Sequence, residues 1–212
     1  MDESEEADKS ALGLVAGAVD IGLSSIAFPP IASILVSGAN TFNSIRDAIL
    51  VDNLKAFLSG AQKADKKKIE DFLSKLTADR DSFIKKIVSA IDRMNDEKKS
   101  KIIGNLFVAT VEGKIHVQSF SQLCFVIEKI FVDDLLCLQA YDDNPNHLDK
   151  KLRTIDDPIH KTQESEQALL ANGLITLKSP PIHTPYLGSN PQYIPNMIGR
   201  ILLDYGIEDD HI

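Results

Sequence analysis

Five histidines and two cysteines have the most chemistry to offer in this chain, and their spacing offers little of it. No two of His116, His147, His160, His183 and His211 stand four residues apart, where two imidazoles on one helix face could hold zinc. His147 with Asp149, and Asp156 and Asp157 with His160, could gather a cation on a polar connector, but they read more simply as a solvated acidic loop. A nucleophilic cysteine needs a lowered pKa beside a histidine at an exposed edge. Cys124 and Cys137 sit instead among Leu, Phe, Val and Ile, and read as buried free thiols of a reducing compartment. On one continuous helix their separation of 13 residues is about 20 Å, too long for a disulfide. Gly13 and Gly17 lack the flanking Lys-Ser/Thr of a phosphate-cradling loop. Asp133-Asp134 and Asp209-Asp210 have no carboxylates placed against them. The expectation is therefore no catalytic residue, no cofactor and no metal site. An enzyme would need a site built from residues that leave no linear trace.

Charge narrows the partners. The net charge is −8 over 212 residues, and it is uneven. Residues 1–10 hold five acids and one lysine, residues 41–140 hold 16 bases and 14 acids, and residues 141–212 hold 6 bases and 11 acids. Both ends repel phosphate, which disfavours binding to nucleic acid by counterion release. Lys66-Lys67-Lys68, with Lys63 upstream, could touch phosphates or an anionic membrane surface, but Glu70 and Asp71 follow directly and a solvated helix face explains the run. The N-terminal Met-Asp-Glu-Ser-Glu-Glu is the opposite of a basic leader, and a cytoplasmic protein is expected, with the periphery of the inner membrane as the second placement.

The elements that would position these groups are helical. With 43% hydrophobic and 25% charged residues and no Trp, the composition is that of a folded chain rich in helix formers. Residues 1–10 read as an acidic mobile N-terminus. Ala11–Ala27 reads as a first helix stopped by Pro29-Pro30, and Ile31–Ser59 as a second that Gly60 ends, so that 11–60 form an apolar hairpin. Amphipathic helices follow at Lys66–Leu76, capped by Asp65, at Asp79–Asn95, and at Asp96–Glu112 with Gly113 beyond its end. Ser119 followed by Gln122 fits a capping box, and Ser119–Tyr141 then reads as one helix, apolar nearly all round and central to a bundle spanning 61–141. Beyond the polar stretch 142–162 the layout changes. A short helix closes at Gly173, a strand covers Leu174–Lys178, a second strand covers Gln192–Ile194, and Pro195–Tyr205 is a last helix. The fold class expected is mainly α: a helical bundle with a small winged-helix-like α+β module over 142–212.

That tail carries a resemblance. Leu169-Leu170-Ala171-Asn172-Gly173-Leu174-Ile175, with Gln192-Tyr193-Ile194-Pro195-Asn196-Met197-Ile198-Gly199-Arg200-Ile201-Leu202, is similar to the end of many bacterial winged-helix modules, although Pro195-Asn196 stands where those have a Leu-Thr start. A second likeness covers most of the chain. Lys101-Ile102-Ile103-Gly104-Asn105-Leu106-Phe107-Val108-Ala109-Thr110-Val111-Glu112-Gly113-Lys114-Ile115, before an apolar helix ending near Asp134-Leu135, resembles a run in bacterial and phage-associated helical proteins without assigned biochemistry. The likeness implies an architecture and a bacterial or phage-associated setting. If the tail met nucleic acid, Lys161, Lys178 and Arg200 would be its contacts. The short helix before the hairpin mixes Lys161, Gln163 and Gln167 with Glu164 and Glu166, which suits a phosphate-lined groove poorly.

The stretch Ala11–Ala39 needs burial. Ala11–Phe28 makes about 27 Å of helix, just enough to cross a bilayer. Its eight Leu, Val, Ile and Phe residues favour insertion by roughly 2.4–4.8 kcal/mol, and Asp20 opposes by roughly 2.5–3.5 kcal/mol, so a solitary span is not expected. Gly13-x-x-x-Gly17 and Ser33-x-x-x-Ser37 are small pairs one turn apart that let two helices approach closely. The expected function is a non-enzymatic helical interaction protein that oligomerises or associates conditionally with a membrane. Its partner would be a second copy or another protein, with Gly13, Gly17, Ser33 and Ser37 as packing residues. The alternative is a nucleic-acid-binding regulator acting through the C-terminal module.

Overall fold

A computed structural model describes residues 45–76, 79–142, 163–178 and 192–207. Among them the regular structure is helical apart from one two-stranded antiparallel sheet, so the chain is mainly α with a small α+β part near its C-terminus. Contacts divide it into two compact units, Met1–Ser121 and Gln122–Ile212.

In the first unit, helix α1 (Ile45–Ala61) buries Leu54, Phe57, Leu58 and Ala61. Helix α2 (Lys66–Lys75) starts where its sequence says it should: the Asp65 carboxylate accepts from Lys67 N at 2.8 Å and Lys68 N at 3.1 Å. Helix α3 (Arg80–Asp92) ends against α1, because the buried Asn53 amide donates to Met94 O at 2.8 Å and so occupies a carbonyl left over at the helix end. Helix α4 (Glu97–Val111) is capped by Asp96, which accepts from Lys98 N at 2.8 Å. Ten of its fifteen residues are buried, and that makes α4 the core helix of this unit.

Gly60 does not end α1. The helix ends one residue beyond it, at Ala61, without a positive φ at Gly60, and Gly60 lies at a crossing with α4. A Cβ on Gly60 would meet the main-chain oxygen of Lys101, and one on Gly104 would meet that of Phe57, so two backbones pack where side chains would otherwise stand. Around this crossing Phe57, Phe72, Phe83, Phe107 and Phe120 form a connected cluster with ring centroids 5.7–6.4 Å apart, mostly edge-on. Gly113, at φ +75°, closes α4 as expected: Gly113 N bonds Thr110 O and Lys114 N bonds Ala109 O, a left-handed cap that turns Ile115 into the core.

The expected single helix Ser119–Tyr141 is not observed. Helix α5 (Val117–Lys129) opens earlier, with Phe120 N bonded to His116 O, so Ser119 lies inside the helix and does not cap it. The helix then breaks. Phe131 is extended at φ −68°, ψ 147°, and α6 (Val132–Leu136) restarts after it and tightens into a 3₁₀ turn over Cys137–Tyr141.

Helix α7 (Gln163–Ala171) is closed by Gly173 at φ +64°, with Leu174 N on Leu169 O and both leucines fully buried. Strands β1 (Ile175–Leu177) and β2 (Tyr193–Pro195) pair antiparallel, Ile175 opposite Pro195 and Leu177 opposite Tyr193. Asn196 caps helix α8 (Met197–Ile201) by accepting from Gly199 N at 3.0 Å, while its amide donates to Gly173 O. Gly199 is needed there, since a Cβ would collide with Leu174 O at the entry to β1. A wide turn, Leu202–Gly206, ends the described chain with Leu202 and Leu203 buried.

Candidate functional site

The packing residues Gly13, Gly17, Ser33 and Ser37, the stretch Ala11–Ala39 and Lys161 lie outside the described residues. Lys178 is exposed at the end of β1, its amide bonded to Gln192 O at 2.7 Å, and Arg200 is half-buried on α8. They stand on different elements. The exposed face of α7 offers Gln163, Glu164, Gln167 and Leu170, with no cation between Gln163 and Ala171.

Of the chemistry-bearing residues, Cys124 and Cys137 are both buried and neither is in a disulfide. Among the described residues, no group of three or more His, Cys, Asp and Glu could hold a metal. A polar cluster lies in the second unit. Ser165 Oγ donates to Asp134 Oδ1 at 2.5 Å, and Tyr141 OH donates to Glu166 Oε2 at 3.0 Å. Burial pushes the Cys137 thiol up, against a hydrogen bond from Ser165 that acts to lower it, and the charges of Asp134 and Asp133 push it further up. Burial also raises the Tyr141 hydroxyl, and the Glu166 carboxylate that accepts its proton adds to the shift. Both shifts hold the groups neutral, which is the wrong direction for a nucleophile. What the cluster does is tie α7 to α6 and its 3₁₀ turn, through Ser165 with Asp134 and Cys137 and through Glu166 with Tyr141.

The feature that stands out is apolar exposure. Phe131 and Met197 are each 72% exposed and Phe125 is 60% exposed, while Leu170 and Leu177 are also open. All five belong to the second unit, and Ile49 is the one further large apolar residue so exposed among the described residues. On α5 the buried residues Phe120, Leu123, Cys124 and Ile127 make one stripe. Phe125 stands on the opposite side with Gln118, Ser121, Gln122 and Lys129, all exposed. Lys129 Nζ lies 5.4 Å from the Phe125 ring centre, over its face, and 3.5 Å from Glu128. Reading all the apolar residues of 119–141 as core missed this. The signal was present in the sequence, since Phe125 falls two residues off the stripe positions 123 and 127, about 200° round the helix.

No protein-family model, no curated protein and no solved structure matches the chain.

Proposed function

We propose that the chain is a non-enzymatic helical interaction protein that self-associates through apolar side chains of its second unit. The observation that carries this is the exposure of Phe125 and Phe131, two large aromatic side chains in contact with solvent on a unit that buries its other apolar stripe. The stretch Ala11–Ala39 supplies a second contact in this reading, with helix or with lipid, through Gly13, Gly17, Ser33 and Ser37. Among the described residues no helix is long and apolar enough to cross a membrane. The winged-helix-like tail and the bacterial or phage-associated setting belong to the same proposal. The tail serves as a protein-contacting module, because α7 carries Glu164 and Glu166 and no Lys or Arg. The nucleic-acid reading has less support for the same reason.

The test is light scattering and vesicle flotation of the full chain, of F125S/F131S and of G13L/G17L. The full chain is expected above its 23.3 kDa monomer mass, with F125S/F131S shifted toward it and G13L/G17L altered in mass or in flotation. A full chain that stays monomeric at all concentrations and ignores vesicles would overturn the proposal.

A further inference from the structure

The break between α5 and α6 has no helix breaker to force it, although Lys129 in the last turn of α5 and Asp133 and Asp134 in the first turn of α6 suit helix ends there. Residues 117–141 contain no Gly and no Pro. The residue in the N-cap position of α6 is Phe131, which has no side-chain acceptor and makes no cap bond, and it is left 72% exposed. Continued as one helix at about 100° per residue, the chain would place Phe131 within about 20° of Phe120, on the stripe of Phe120, Cys124 and Ile127 that α5 buries. A straight helix would turn Phe131 toward that stripe with Asp134 beside it, about 20° from Ile127, whereas the structure holds a broken helix with an outward Phe131. What opposes straightening is tertiary. Asp134–Ser165 and Tyr141–Glu166 pin α6 and the 3₁₀ turn to α7, and Leu135 and Leu138 are fully buried.

From this juxtaposition we infer that residues 117–141 are a two-state element: α5 and α6 interconvert between the bent form and one continuous helix, and the contacts of α6 and the 3₁₀ turn with α7, Asp134–Ser165 and Tyr141–Glu166 among them, shift the balance. Straightening withdraws Phe131 from the surface, so release of α7 controls whether that ring is available for contact. The two-state element is tested without reference to association, so it can fail while the proposed function stands.

Spin labels on genetically encoded residues at 122 and 139 leave both cysteines untouched. In a continuous helix their backbones lie about 26 Å apart. Wild type is expected to show the bent distance, and S165A/Y141F a second component near the helical one. Val132→Pro discriminates. Proline is accepted at the first position of α6, and Phe131 before it already has the extended backbone proline requires, whereas proline inside a continuous helix disfavours it by roughly a hundredfold or more. Adding V132P to S165A/Y141F should therefore abolish the long component, and V132P alone should melt like wild type. If the double variant does not fold, S165A and Y141F are read singly. A distance unchanged by cutting the bonds, or a long component that survives V132P, overturns the inference.

Discussion

Replacing Gly104 by alanine sets two magnitudes against each other. An exposed helical position gains about 0.8–1 kcal/mol from Gly to Ala, because glycine loses more backbone entropy on folding. At position 104 the added methyl would stand against the main-chain oxygen of Phe57, with Ala61 N and Gly60 Cα each 3.1 Å away. Every one of these neighbours is backbone, so no side chain can swing aside and α1 itself must retreat from α4. Overpacking of this kind costs about 1–3 kcal/mol, and the rigid neighbours place it at the upper end. The net expectation is a loss of about 2 kcal/mol, or roughly 4–8 °C in melting temperature for a chain of this size. Thermal melts followed by circular dichroism measure it. Gly60→Ala meets Lys101 O across the same crossing and should behave alike. Once one methyl has parted the helices, the second costs less, so G60A/G104A should lose clearly less than the sum of the two. A Gly104→Ala protein that melts at or above wild type would show that propensity outweighs the crossing, and would refute the close approach of α1 and α4.

Two further outcomes follow from named contacts. Asp65→Ala removes the acceptor for two amides at the start of α2, beside three lysines that already oppose the helix dipole, and should cost about 1 kcal/mol in the same melts. Cys137 and Tyr141 both have folded pKa values raised by burial, so their contribution to stability is complete below their ordinary ranges and is lost as pH rises through the folded values. Urea midpoints should fall on the alkaline side, less steeply in Y141F, and Cys137 should react with a thiol reagent in urea far faster than in buffer.

The parts of this fold that were legible in the sequence are those fixed by a residue's own backbone. Asp65 caps α2 as expected because a short carboxylate reaches the amides two or three residues on, and Asp96, read as the first residue of its helix, caps α4 in the same way. Gly113 and Gly173 end α4 and α7 because a positive φ is cheap for glycine alone. Strands β1 and β2 fall close to the two stretches expected because each is a short run with β-formers such as Ile175, Thr176, Tyr193 and Ile194. Gly60 was misread by the same logic. A glycine near a helix end resembles a stop, and only the partner helix, more than forty residues further on, reveals it as a crossing.

Residues 117–141 fail in a different way, and the failure carries information. Periodicity there is sound on each side of the break: Phe120, Leu123, Cys124 and Ile127 are buried before it, Leu135 and Leu138 after it. The intervening residues hold no Gly or Pro to force an interruption, while Lys129, Asp133 and Asp134 suit the helix ends that form. The α7 residues that hold the bent form lie 31 residues from Asp134 and 25 from Tyr141, beyond any local signal. If residues 117–141 have two states, those distant bonds help to hold the break, and their loss should raise the population of the continuous helix. The sequence expectation and the observed structure then stand as the two states of one segment, and Phe131 is the residue whose exposure tells them apart.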